Sequence, residues 1–288
     1  MERDVTSAEM LSRLNQFIKE RESEGAIGNN TTNWGLVKFR EGVVENEING
    51  DKDEIIDYIK SIKSRYKPSS VNRIANSIKV FSNWLKKRGY KEDDLIEKFP
   101  HKLVSVPKKP IVTFTNEDYE RLKLAAEGTS LYYLIVAGWN TGMRLIDCAT
   151  LKWKEIDLKR KVIVRKPSKT EEYETVVEIP MSKELYNLLS EMILVRDSSD
   201  YLCEHLAFKA MAGDLSKHFR YFLNRNKLYD KGKTFHAFRR TAISRWLSHP
   251  NADIMTVRHL SGHKDVKSLI PYFHPSMDKK KLIMDIVE

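Results

Sequence analysis

The stretch LYYLIVAGWNTGMR, residues 131–144, carries no charge until its last position and is apolar at nearly every position up to Trp139. Such a run predicts a helix buried on most of its faces, and that helix delivers Thr141-Gly142-Met143-Arg144 at its end. Just upstream, Thr115 reads as the cap of another helix. Downstream, the β-branched runs 161–165 and 174–179 flank Pro167-Ser168-Lys169-Thr170-Glu171 and predict a small hairpin of two strands. Helices resume at Ser182 and again over about 214–226, 236–248 and 253–261. The region around the opening stretch is therefore a mainly helical domain with one β element.

Moving toward the N-terminus, periodicity fails over 99–113, where Pro100, Pro107 and Pro110 with Lys108-Lys109 read as an extended linker. This divides the chain into a helical domain at 1–105, a linker at 106–112 and a second domain at 113–288. In the first domain Thr6-Ser7-Ala8-Glu9 reads as a capping box, followed by Leu11, Leu14, Phe17 and Ile18 at helical spacing until Gly25. A second helix is expected from Thr31 or Thr32, and a third after Asp51 with Ile55, Ile56, Ile59 and Ile62. After Pro68-Ser69-Ser70, an apolar stripe of Val71, Ile74, Ala75, Ile78, Phe81 and Leu85 predicts an amphipathic helix that ends at Gly89, with Arg73, Lys79 and Lys86 off the stripe.

The 288 residues have a net charge of +10, which points to a polyanionic partner without naming it. Distribution narrows the choice. Residues 59–91 hold ten Lys/Arg and no Asp or Glu, while 41–57 is strongly acidic. A basic face that includes Arg73, Lys79, Lys86, Lys87 and Arg88 is suited to neutralising DNA phosphates. No apolar run approaches the roughly 18 residues that a bilayer span needs, and no apolar segment follows the charged first residues, so a cytoplasmic protein is expected. Cys148 and Cys203 are too few for a disulfide framework or a zinc site and read as core residues.

Four clusters in the second domain carry chemistry: Thr141-Gly142-Met143-Arg144 with Asp147, Ser168-Lys169-Thr170, His236-Ala237-Phe238-Arg239, and Leu260-Ser261-Gly262-His263 with Tyr272 nine residues later. Singly, His-x-x-Arg or Gly-His is a frequent pair. In this order and at these distances the set resembles the tyrosine recombinase and phage-integrase family. The resemblance covers essentially the whole chain and implies a SAM-like helical core-binding domain ahead of a mainly helical catalytic domain with a small β-hairpin. It makes Arg144 and Arg239 the arginine pair, Lys169 the hairpin lysine, His236 and His263 the two histidines and Tyr272 the nucleophile.

These residue types suit the transfer of a phosphoryl group. The transition state gathers charge on non-bridging oxygens, and a guanidinium offers them a permanently charged, planar fork of donors, the task a metal performs elsewhere. A phenol, with an ordinary pKa of about 10, needs a base to attack at neutral pH, and His236 is the candidate. The resemblance gives Lys169 the proton for the departing 5′-hydroxyl, while His263 is expected to donate a hydrogen bond to the phosphate. Asp147 matches the family's acidic position and is expected to orient His236 or the arginine. A 3′-phosphotyrosyl link conserves bond energy, so neither metal nor cofactor is expected.

Some assignments stay open in the sequence. Lys166 and Lys161 compete with Lys169, and Tyr221 and Tyr229 with Tyr272. Pro271 disfavours α conformation at Ile270 and predicts a broken helix before the nucleophile, and Phe238 stands where the family usually has leucine. In the tail, Leu282, Ile283, Ile286 and Val287 make one apolar helix face. The resemblance implies that this tail is exchanged between protomers of a homotetramer on paired duplex DNA sites, packing on its own domain being the alternative. Accessory DNA-bending or directionality proteins would fit that scheme, and a further N-terminal arm-binding domain is not expected. Two other readings are a type IB topoisomerase, disfavoured by the helical front domain and compact length, and an inactive DNA-binding protein, disfavoured by the complete set of catalytic residue types.

Overall fold

Four helices make up the N-terminal part of the chain: α1 (Ser7–Ser23), α2 (Asn30–Asn46), α3 (Lys52–Ser61) and α4 (Pro68–Lys87). The computed structural model describes residues 6–23, 30–90, 104–105, 110–168, 176–229, 232–249 and 251–273. The Thr6 hydroxyl accepts from the Glu9 amide at 3.3 Å, which is the forward half of the expected capping box, while the Glu9 carboxylate reaches Arg13 on the next turn. Asp51 caps α3 through the Asp53 amide, and α4 opens on Pro68, whose missing N–H costs nothing in a first turn. The stripes of all four helices meet in one core that includes Leu14, Leu36, Phe39, Ile55, Ile74, Ile78 and Phe81.

The chain divides into two compact units, Met1–Lys109 and Pro110–Glu288. The second unit builds around α6 (Ser130–Thr141), whose Leu134 to Ala137 are wholly buried, preceded by α5 (Asn116–Ala126) with a full capping box between Thr115 and Asp118. After α6 come α7 (Leu145–Ala149) and the strands β1 (Ile156–Asp157), β2 (Val162–Arg165) and β3 (Val177–Pro180). The strands form an antiparallel sheet in the order β1-β2-β3, with Ile163 opposite Ile179 and Arg165 opposite Val177. The sequence reading anticipated two strands; β1 adds a third edge and is too short to leave a period. The first expected strand also starts one residue late, because Lys161 takes φ +55° in the preceding turn.

Helices α8 (Lys183–Leu194), α9 (Glu204–Met211), α10 (Leu215–Arg225), α11 (His236–Ser248) and α12 (Ile254–Ser261) complete the unit. Ser182 caps α8, as expected from sequence. Helix α11 packs on α6, and Phe238 is buried with its ring 4.6 Å from that of Phe114 and 5.2 Å from that of Phe235. An aromatic cluster therefore absorbs the added volume at this position. Beyond α12 the chain makes short 3-10 turns at Val266–Ser268 and Ile270–Tyr272. No described helix is long and apolar enough to cross a membrane.

Candidate active site

Two left-handed glycines present the functional side chains. Gly142 ends α6 at φ +60°, and Gly262 ends α12 at φ +60°; a side chain at either would be strained there. Space opposes it as well, most firmly at Gly142. A Cβ on Gly142 would lie 2.9 Å from the Ala242 Cβ, and one on Gly262 would lie 3.2 Å from Pro167 and Val177. Gly142 thus lets α6 turn against α11 and release Arg144, while Gly262 packs on Pro167 and Val177 at the base of the β2–β3 hairpin and leads into His263.

Arg239 is the centre of the arrangement. Its side chain rises from the first turn of α11 and is 5% exposed. Nη1 donates to the Gly142 carbonyl at 3.0 Å, and Nη2 donates to the Ser261 carbonyl and lies 3.3–3.4 Å from the ring nitrogens of His263. The two signature turns are therefore joined through one guanidinium. Burial, then the neighbouring charge of Arg144, pushes its pKa down to about 10, while Asp147 and the Tyr272 phenol oppose that fall. It remains a cation at neutral pH.

Asp147, 2% exposed, sits between cations. Its carboxylate is 3.6 Å from Arg144 Nη1 and 3.7 Å from Arg165 Nε, and it accepts from the Ser168 amide at 2.9 Å. It links the helix after Arg144 to the residue preceding Lys169. Arg165 also donates to Glu155 at 2.8 Å and to the Thr150 hydroxyl at 2.7 Å. The sequence reading missed this arginine. The inward phase of Ile163 and Arg165 in β2 is the signal that could have found it, since alternate residues share a face. Arg144, Asp147, Arg165, Pro167 and Arg239 line one small cavity.

His263 has its pKa pushed down to about 4, first by burial and then by Arg239 and Arg144, so it is neutral at pH 7; Asp265 and His236 also act on it. Its Nδ1 is 2.7 Å from the Ser261 hydroxyl. His236 is the exposed first residue of α11. Tyr272 is partly buried against the small cluster of Ile243, Leu247, Val257 and Leu269, and its 3-10 turn packs on α11. The expected break before it is present as Pro271 in that turn, with the Tyr272 amide donating to Leu269 at 2.9 Å. The competing Tyr221 and Tyr229 are exposed on and after α10. Lys169 and the tail beyond Phe273 lie outside the described residues; of the others, Arg144, Asp147 and Arg239 line one cavity, His263 touches Arg239, and His236 and Tyr272 are near enough to act on His263 and Arg239 through their charge.

The basic segment of the first unit is more mixed in space than in sequence. Arg88 pairs with Glu20 at 3.0 Å and lies over Trp84, Arg65 pairs with Glu45 at 3.5 Å, and Lys60 pairs with Asp57 at 2.8 Å. Arg73 lies over the Trp34 ring at 5.5 Å. Lys86 and Lys87 are exposed at the end of α4, and Lys79 is partly buried. Both cysteines are free, and burial pushes the Cys148 thiol up. Among the described residues no group of three His, Cys, Asp or Glu is placed to hold a metal ion.

Comparison with known proteins adds kinship to this geometry. The chain is 25% identical over 171 residues to a tyrosine recombinase XerC-like protein of Caldanaerobacter subterraneus subsp. tengcongensis, a match that covers 50% of this chain and 42% of that relative. The chain thus spans less than half the length of the curated relative it matches. In fold it is similar to the Tn1549 transposon integrase in complex with a circular intermediate DNA, with a TM-score of 0.70 at 16% identity over 99% of this chain and 100% of that one. It is also similar to the XerH site-specific recombinase bound to palindromic difH substrate, with a TM-score of 0.69 at 19% identity over 96% and 84%. A lambda integrase tetramer bound to a Holliday junction gives 0.67 at 19% identity over 95% and 78%. Residues 112–279, more than half of the chain and including all four clusters, match the phage integrase family, and the protein belongs to that family.

Proposed function

We propose that the protein is a site-specific DNA recombinase that cuts and rejoins duplex DNA through a 3′-phosphotyrosine link to Tyr272, in integration, excision or dimer resolution. The observation that supports it most is the grouping around Arg239: a second arginine, a neutral histidine and the Tyr272 phenol come to it from separate pieces of chain. In this reading the Tyr272 oxygen attacks the phosphorus, His236 takes its proton, and Lys169 protonates the departing 5′-oxygen. Arg144 and Arg239 stabilise charge on the non-bridging oxygens. Asp147 holds Arg144 and the start of the Lys169 loop in register. Because rejoining reverses the same exchange, the reaction needs neither a metal nor a nucleotide.

Duplex DNA is the proposed partner, bound in part by Arg73, Lys79, Lys86 and Lys87. The protein would act in the cytoplasm as a homotetramer on paired sites, with tail exchange between protomers and accessory DNA-bending or directionality proteins as helpers. The DNA complexes of the Tn1549 integrase and XerH, and the lambda integrase tetramer, support this by kinship. The test is incubation with a nicked suicide duplex in chelator and without nucleotide, followed by a denaturing gel. A protein–DNA adduct is expected; binding without an adduct would contradict the reading.

A further inference from the structure

The hydroxyl of Ser261 has two short contacts and one proton. Its oxygen is 2.6 Å from the Val257 carbonyl oxygen, one turn back along α12, and 2.7 Å from His263 Nδ1. Two oxygens at 2.6 Å require a proton between them, and a carbonyl has none to give, so the hydroxyl donates to Val257. The contact with His263 must then be bridged by the imidazole's own proton. A neutral imidazole has one N–H and one lone pair, so a proton on Nδ1 leaves Nε2 an acceptor. The other neighbour does not choose between the nitrogens, since Arg239 Nη2 lies 3.3 Å from Nε2 and 3.4 Å from Nδ1; the short contact with Ser261 decides the tautomer. In the opposite tautomer the hydroxyl would donate to Nδ1, leaving its oxygen and the Val257 carbonyl in unbridged contact.

We infer that Ser261 is a positioning residue that fixes His263 as the Nδ1–H tautomer, the imidazole donating to the Ser261 hydroxyl and that hydroxyl donating to the Val257 carbonyl. The sequence reading gave His263 the part of a donor to phosphate. With Nδ1–H committed to Ser261, the ring offers Nε2 as an acceptor, and it donates through Nε2 only when it takes up a second proton. Burial and the charges of Arg239 and Arg144 oppose that proton, while Asp265 favours it. Ser261 thus leaves His263 with Nε2 as an acceptor, and an anion nearby would favour its change to a donor. This consequence for chemistry rests on the recombinase reading; the tautomer does not.

Two-dimensional long-range 1H–15N spectra of the full chain labelled at histidine read the tautomer directly, with the His263 signals assigned by their loss in His263→Gln. At pH 7 the wild type is expected to show a protonated Nδ1 and a bare Nε2. Ser261→Ala should move the pattern toward Nε2–H, and Ser261→Thr, which keeps the hydroxyl, should restore it. Thermal melts of both variants identify any loss of fold. A wild-type spectrum with Nε2–H, or an unchanged pattern in a folded Ser261→Ala, overturns the inference. Failure of the adduct assay with the expected spectra would count against the recombinase reading alone.

Discussion

The cations at the end of α4 and those around Arg239 have the same formal charge and opposite circumstances. Lys86 and Lys87 stand in solvent on the last turn of an amphipathic helix, and neither is needed to close the core beneath them. Arg239 is buried, with its donors engaged by the Gly142 and Ser261 carbonyls and the His263 ring. Taking a guanidinium out of water costs several kcal/mol unless its hydrogen bonds are replaced, and here backbone carbonyls at two helix ends replace them. A charge held in this way has one position and one orientation, as stabilising a transition state demands. Exposed lysines keep their hydration and their freedom, which suits phosphate neutralisation, where several similar cations contribute additively. The difference separates residues expected to act on rate from residues expected to act on affinity.

The sharpest break in that comparison comes from removing one member of each set. Arg239→Ala should lower single-turnover cleavage by about 100-fold or more and cost roughly 1–3 kcal/mol of stability, because the carbonyls it satisfies lose their donor. Lys87→Ala should shift stability by no more than about 0.5 kcal/mol and leave the cleavage rate of bound DNA unchanged. Rapid-quench cleavage at saturating protein, beside urea unfolding, measures both. Comparable effects from the two variants would erase the distinction.

A second experiment sharpens the affinity side. Arg88 is already paired with Glu20, whereas Lys86 and Lys87 have no acidic partner among the described ion pairs. Each phosphate neutralised contributes about 0.9 to the slope of log affinity against log salt. Lys86→Ala with Lys87→Ala should therefore reduce that slope by about 2, and adding Arg88→Ala should change it little. A salt titration of duplex binding reads the slopes; no change in the double variant would place these lysines away from DNA.

The smallest effect concerns protons. His263 has a folded pKa of about 4 against an ordinary 6.5, so between those values the unfolded chain binds more protons than the folded one. Its contribution to stability is complete above pH 6.5 and is lost as pH falls toward 4. His263→Gln should flatten the decline of stability across that window, as measured by unfolding midpoints at several pH values. No exposed lysine of α4 should change it.

The same contrast explains what was legible in the sequence. Helices α4 and α6 were readable because apolar period or uninterrupted apolar content runs through ten or more residues, and the glycine stops at Gly142 and Gly262 mark where function begins. Strand β1 and helix α7, at two and five residues, are too short for a period to repeat within them. Helix α9 was hidden for another reason: Leu206 and Ala207 face the core while the apolar Phe208 and Met211 are exposed, which blurs the contrast between its faces. At the site, Arg144, Arg239, His263 and Tyr272 could be named from order and spacing. Arg165 and the part played by Ser261 could not, because one needs the phase of a strand and the other the short contacts of a hydroxyl with Val257 and His263. The basic run of 59–91 misled in part, since Glu20, Glu45 and Asp57 fold back onto three of its cations.

The measurement that tests the central claim most directly is covalent trapping on a nicked suicide duplex with Tyr272→Phe, which removes one oxygen and leaves the arginines, histidines and α4 lysines in place. The account predicts duplex affinity close to that of the wild type, complete loss of the protein–DNA adduct, and, in the wild type, a phosphorylated peptide that contains Tyr272. An adduct that persists in the phenylalanine variant, or a wild-type phosphopeptide mapping to Tyr221 or Tyr229, would contradict it.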